Sequence, residues 1–232
     1  MSGQVKSRER VREHGEVFTN EREVNAMLDM VKQETERIDS RFLEPACGDG
    51  NFLAEVLRRK LSVVNGRYRR SLREYEKYAF IAVASLYGVE LLRDNAVVCR
   101  ERLFKILEDD YLQVCRKKPT PGFLEAIRYV LERNILNGNA LSLKQVDETG
   151  ADTDEPIIFS EWSMAVGDKV KRRDFRLDEL LKDGSDQAQA SLFDSSGTPT
   201  SEWEFDAETG AMIPKPIWEY PMVRFYEVQN NE

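Results

Sequence analysis

The sequence predicts an α/β fold, a doubly wound and mostly parallel sheet with helices between its strands. Three observations predict it. Short apolar runs of strand length alternate with longer stretches of helical periodicity. The first such run, Phe42-Leu43-Glu44, leaves through a glycine-bearing turn, Pro45 to Gly50, straight into a helical pattern. Later runs end in polar residues, Glu90 and Asn139, as strands do when ligand loops sit at their carboxyl ends.

In chain order, Thr19 or Asn20 caps a first helix, with Glu23 at capping-box spacing, and Val24, Met27, Leu28 and Val31 form its apolar stripe. The strand and glycine turn follow, then a short helix marked by Phe52, Val56 and Leu57. Val63-Val64-Asn65-Gly66 reads as a break before a helix from Ser71 to Leu86, with Tyr75, Tyr78, Ala79 and Ala82 on one face. Leu86 to Leu91 is a second strand, Asn95 to Leu107 a helix, Lys117 to Gly122 a loop and Phe123 to Glu132 a helix. Asn134 to Leu141 gives a third strand and Pro156 to Trp162 a fourth. Val170 to Leu181 combines a basic strand with a helix start, and Pro214 to Val228 alternates enough apolar residues for an edge strand.

With 232 residues, 41% of them apolar, the chain is sized for one core with appendages. Residues 1–40 are an N-terminal arm and helix packed on the ligand turn, 41–182 the core, 183–212 an acidic flexible linker, and 213–232 an edge strand docked back on the core. No apolar run reaches the roughly 20 residues of a membrane span. Met1-Ser2-Gly3-Gln4 has no signal-peptide core, so a soluble, cytoplasmic protein is expected. Cys47, Cys99 and Cys115 are widely spaced and His14 is the lone histidine, which excludes a disulfide framework, a zinc site and a histidine-based triad. The net charge of −8 argues against a globally basic nucleic-acid binder, but the acids concentrate between Asp183 and Gly210, where no Lys or Arg occurs. The rest is nearly neutral, with basic clusters at Lys6–Arg12, Arg58–Arg73 and Lys169–Arg176 that are candidates to face phosphates.

The chemistry concentrates at the strand ends. Gly48 and Gly50 let backbone approach a ligand, and the helix that follows opens with N–H groups at Asn51 and Phe52. Taken alone, such a turn suits a dinucleotide or nothing at all, and Leu53 stands where the nicotinamide fingerprint has a third glycine. Glu90, closing the second strand, suits a ribose diol; Asn139, closing the third, suits a nucleoside base. Cys47 reads as a small packing residue.

Leu43-Glu44-Pro45-Ala46-Cys47-Gly48-Asp49-Gly50-Asn51-Phe52-Leu53 resembles the S-adenosylmethionine motif of amino-group DNA methyltransferases, in the branch of restriction-modification M subunits. Gly15 to Asn20, Tyr87-Gly88-Val89-Glu90 and Gly138-Asn139-Ala140-Leu141 are similar to the companion motifs of that branch, over roughly residues 10 to 143. The resemblance implies a Rossmann-like class I methyltransferase fold, truncated, with an N-terminal helix. It implies S-adenosylmethionine contacts from Phe18, Thr19, Glu44, Ala46, Gly48, Asp49, Gly50, Asn51, Phe52, Glu90 and Asn139. It also implies methylation of adenine N6, or cytosine N4, in DNA, with no metal.

One motif departs from the family. The Asn/Asp-Pro-Pro-Tyr/Phe loop that receives the target amine has no counterpart, since the chain contains no Pro-Pro pair. Glu161 as acceptor and Trp162 as stacking ring are the candidate replacements. The expected partners are therefore DNA and a second polypeptide supplying the missing loop or target recognition. The alternatives are a non-catalytic methyltransferase-like subunit that acts through a partner, and a methyltransferase for RNA or small molecules. Gln189-Ala190-Ser191-Leu192-Phe193 resembles the short peptides that dock on bacterial sliding clamps.

Overall fold

The computed structural model describes residues 19–116, 118–181, 203–206 and 211–231. Helix α1 (Glu21–Met30) begins at a capping box: the Asn20 side chain accepts the Arg22 N–H at 2.7 Å, and Glu23 reaches back to the Asn20 N–H. Val24 and Leu28 are buried, whereas Met27 and Val31 of the same stripe stay exposed. A single turn, α2 (Lys32–Thr35), leads to β1 (Phe42–Glu44).

Two helices, α3 (Asn51–Tyr68) and α4 (Leu72–Ala84), carry the chain to β2 (Leu86–Glu90). Two more, α5 (Arg93–Cys115) and α6 (Phe123–Asn134), carry it to β3 (Ile135–Asn139). The strands pair in parallel in the order β1, β2, β3, with Phe42 opposite Leu86 and Gly88 opposite Ile135. The break expected at Val63 to Gly66 does not occur. Val64 is fully buried and Gly66 faces open space, so helix continuation costs about 1 kcal/mol in glycine propensity. Burying Leu61 and Val64 contributes about 1.5–3 kcal/mol each, which decides the balance.

β4 (Lys144–Val146) and β5 (Asp152–Pro156) extend the sheet antiparallel. Leu86 and Ile135 face a core shared with α3 to α6, while Tyr87 and Val89 point the other way. Double winding would cover that second face with helices. Here Ile157, Phe159 and Leu177 cover it. Among the described residues the fold is thus mixed α/β, its first three strands parallel, and compatible with a Rossmann-like winding on one face.

The predicted fourth strand exists but joins a different sheet. β6 (Ile158–Met164) turns back through Gly167 and pairs antiparallel with β7 (Lys169–Arg176) along its whole length. A strand inside a parallel sheet is apolar on both faces. β6 instead carries Ser160 and Glu161, which meet Asp174 and Arg173 directly opposite. The basic run at Lys169–Arg176 is accordingly not a phosphate face: Arg172 and Arg173 are buried, the first on Asp174 at 2.7 Å and the second on Glu161 at 2.6 Å.

After the single turn α7 (Leu177–Leu180), most of the expected linker lies outside the described residues, as does Gln189–Phe193. Its last part is structured, however: β8 (Trp203–Asp206) and β9 (Ala211–Pro214) form an antiparallel pair. The chain then adds β10 (Trp218–Glu219) and β11 (Val223–Arg224), both on β7, and a 3-10 helix, Phe225–Asn230. The predicted edge strand is therefore two short ones, docked on the second sheet rather than on the parallel one. No helix of the described residues is long and apolar enough to cross a membrane.

Lys60 of α3 is fully buried, with its ammonium donating to the Ser40 carbonyl and the Ser85 hydroxyl. Burial pushes its pKa down to about 7 from 10.5. Between those values the unfolded chain holds a proton that the folded chain has released. The burial cost is therefore complete below about pH 7 and is relieved as the pH rises toward 10.5. Urea denaturation at pH 6, 8 and 9.5 is expected to show wild type gaining stability relative to Lys60→Met with rising pH, by up to about 1.4 kcal/mol per pH unit in this window.

Candidate functional site

The carboxyl ends of β1 and β2 are held together by one carboxylate. Glu90, 8% exposed, accepts the Gly48 N–H at 2.8 Å through one oxygen and the Leu92 N–H at 2.9 Å through the other. Behind it, Cys47 N–H donates to the Val89 carbonyl at 3.0 Å. From β3, the Asn137 amide donates to the Glu90 and Leu91 carbonyls, both at 2.8 Å. Each oxygen of Glu90 keeps a second lone pair, so the brace leaves acceptor capacity for a diol.

Gly48 and Gly50 have φ of +54° and +90°, a region in which a side chain is strained. The reason for glycine at position 50 differs from the one expected. A Cβ there would lie 2.7 Å from Cys99 Sγ on α5. One added at Gly88 would lie 2.9 Å from Cys47 Sγ. These glycines let the turn, β2 and α5 close on one another, and both thiols are buried in that contact. Gly50 opens α3 with no side-chain cap, which leaves the first N–H groups of the helix at the turn.

The flanking side chains are tied down in a second layer. Arg102 of α5 donates to both oxygens of Asp49, at 2.7 and 3.3 Å, and to the Asn51 side-chain oxygen. Asn51 in turn donates to the Thr19 carbonyl at 3.4 Å, so Thr19 reaches the turn through its main chain. Ala46 is exposed, and Phe52 packs partly into the core. Phe18 lies outside the described residues. Glu44 is the exception to all this pairing. Partial burial raises its pKa, offset in part by the Ala46 N–H, and it has no cationic partner among the described residues.

Asn139 sits at the end of β3 as expected, but its side chain is already used. Its amide donates to Asp152 at 2.9 Å and its oxygen accepts the Leu141 N–H at 3.0 Å, which fixes the β3–β4 turn. Glu161 and Trp162 are not placed as an acceptor and a stacking ring. One Glu161 oxygen takes Arg41 and the other takes Arg173 at 2.6–2.7 Å. Trp162 packs edge-on against Phe80 and Tyr129 and donates to Asn134 at 3.3 Å. They tie the second sheet to β1 and to the helices, and the Glu161 carboxylate is neutralised by two guanidinium groups, which opposes the acceptor role.

Arg102, Asn137 and Cys99 are the working residues that sequence reasoning missed. Each acts on a group more than 40 positions away, and no local spacing marks them. Among the described residues no cluster of His, Cys, Asp or Glu is arranged to hold a metal ion. No family model, curated protein or solved structure matches the chain.

Gly50→Ala is expected to destabilise the fold by about 1–3 kcal/mol in urea denaturation, from left-handed backbone strain and the Cys99 clash together. Adding Cys99→Ala is expected to recover part of that loss, because only the steric share is relieved. Strict additivity of the two changes would contradict the contact.

Proposed function

We propose that the chain binds S-adenosylmethionine at the Gly48–Asn51 turn and forms the cofactor-holding half of an amino-group DNA methyltransferase of the adenine-N6 type. The observation that carries this reading is the juxtaposition of Glu90 with the glycine turn across two adjacent parallel strands. It supports recognition of a nucleoside: backbone free of Cβ atoms on one side, and a fixed carboxylate with spare lone pairs on the other. Glu44 adds a charge argument. A partly buried carboxylate without a cation favours a ligand that brings positive charge, and S-adenosylmethionine carries both a sulfonium and an ammonium.

When bound, the cofactor supplies an activated methyl group. This chain's own residues hold and orient it: Gly48 and the opening of α3 through backbone, Glu90 through hydrogen-bond acceptance, and Glu44 through charge. Acceptance of hydrogen bonds from the target amine, the step that makes a delocalised lone pair nucleophilic, is assigned to a partner polypeptide. Glu161, which stands in place of the Pro-Pro loop, is paired with Arg41 and Arg173. The same commitment of Glu161 and Trp162 favours, as a second reading, a cofactor-binding subunit that has no transfer chemistry of its own.

Isothermal titration with S-adenosylmethionine is expected to show one site per chain. Glu44→Gln should weaken it at least tenfold, and Gly48→Val should abolish it. Because the Glu44 pKa lies above the ordinary carboxylate range, wild-type affinity should fall on acidification sooner than for an ordinary Glu, while Glu44→Gln stays flat. No heat of binding, with Gly48→Val indistinguishable from wild type, overturns the reading. Labelled cofactor with mixed DNA then separates the two forms: transfer only when a neighbouring-operon protein is added marks the split enzyme, and binding without transfer in every combination marks the non-catalytic subunit.

A further inference from the structure

At the opposite end of the parallel strands lies a cavity of about 540 Å³. It opens where α3 ends, where β1 and β2 begin, and where β6 crosses behind them. Tyr87, at the start of β2, lines it, whereas Glu90 ends the same strand about 10 Å further on. The cavity is thus separate from the glycine turn, and its size falls within the range of small-molecule sites.

Its lining combines flat rings with hydrogen-bond donors. Tyr68 and Tyr78 stack with their ring centres 3.8 Å apart and their planes within 6°. Arg67, exposed beside them, donates to the Tyr68 hydroxyl and has no carboxylate partner among the described residues. Arg41 gives one nitrogen to Glu161 and is otherwise half exposed. The Tyr87 hydroxyl has no hydrogen-bond partner among the described residues, and burial keeps it protonated. Ser163 Oγ likewise has none. The two acids at the rim, Glu36 and Asp39, sit near Lys32 at 3.6 Å and Arg37 at 3.8 Å. Unsatisfied donors and a guanidinium with a neutral hydroxyl but no carboxylate beside it favour an acceptor-rich anion, and stacked rings favour a planar body.

We propose that this cavity binds a mononucleotide, with its base against the Tyr68–Tyr78 pair and its phosphate toward Arg67 and Arg41. Arg67 supplies the charge, Arg41 a second guanidinium edge, and Tyr87 a fixed hydroxyl donor. The proposal stands independently of the methyl-donor reading, because it uses none of the residues at the carboxyl end of the sheet.

The test is titration of the full chain with AMP, with adenosine and with inorganic phosphate, in wild type, Arg67→Ala, Arg67→Lys and Glu44→Gln. Saturable AMP binding is expected, with adenosine and phosphate each at least tenfold weaker. Arg67→Ala should weaken AMP at least tenfold with an unchanged melting temperature, since the side chain is exposed, and Arg67→Lys should restore part of the loss. Glu44→Gln should leave AMP affinity as in wild type. Adenosine binding as tightly as AMP, AMP binding indifferent to Arg67→Ala, or no saturation at millimolar AMP overturns the proposal. AMP binding lost in Glu44→Gln but kept in Arg67→Ala also overturns it and places the nucleotide at the glycine turn instead.

Discussion

The Glu90 carboxylate is the interaction on which the arrangement of the site depends. It takes the Gly48 N–H from the loop after β1 and the Leu92 N–H from the loop after β2, so two connections that share no sequence proximity are fixed to one group. A charged acceptor with two backbone donors outweighs a neutral pair, at about 1.5–3 kcal/mol per bond. Once the turn is pinned, Gly50 is brought against Cys99, and the start of α3 is placed beside the ends of two strands. Arg102 then locks Asp49 and Asn51 from outside. This double layer holds the turn through the protein's own bonds, which is what a preorganised binding loop requires.

The parallel half of the fold was legible in the sequence because its signals are local. The capping box at Asn20, the strand-turn-helix at Phe42 to Leu53 and the apolar run at Leu86 each declare themselves within a few residues. The second sheet was not legible. Ile158 to Met164 reads correctly as a strand, but the choice between joining a parallel sheet and turning back is made by pairs such as Ser160 with Asp174 and Glu161 with Arg173. Those partners lie outside any local window. The same limit explains α3, where Gly66 looked like a stop. What overrode it was burial of Val64 against neighbours distant in sequence.

At the site, residue types were readable and their commitments were not. A carboxylate, an amide and a tryptophan at strand positions have the same appearance whether they are free or already bonded. Glu90 is held by backbone N–H groups alone, whereas Asn139 is tied to Asp152 and the Leu141 N–H, and Glu161 is paired with Arg41 and Arg173. The segment Phe159 to Ser163 serves as a strut between sheets. Buried ion pairs of this kind are strongly destabilising to break, about 3–5 kcal/mol when one partner is removed, so the strut is not easily released for another task.

β7 takes β6 along one edge and the two short strands Trp218–Glu219 and Val223–Arg224 along the other. The latter come from the last segment of the described chain. An uncovered edge strand offers its backbone groups to any other extended chain, so this segment acts as a guard against intermolecular strand addition. Fusions or tags that pull residues 218–224 off β7 would turn a covered strand edge into a template for self-association, even with every residue of the glycine turn intact.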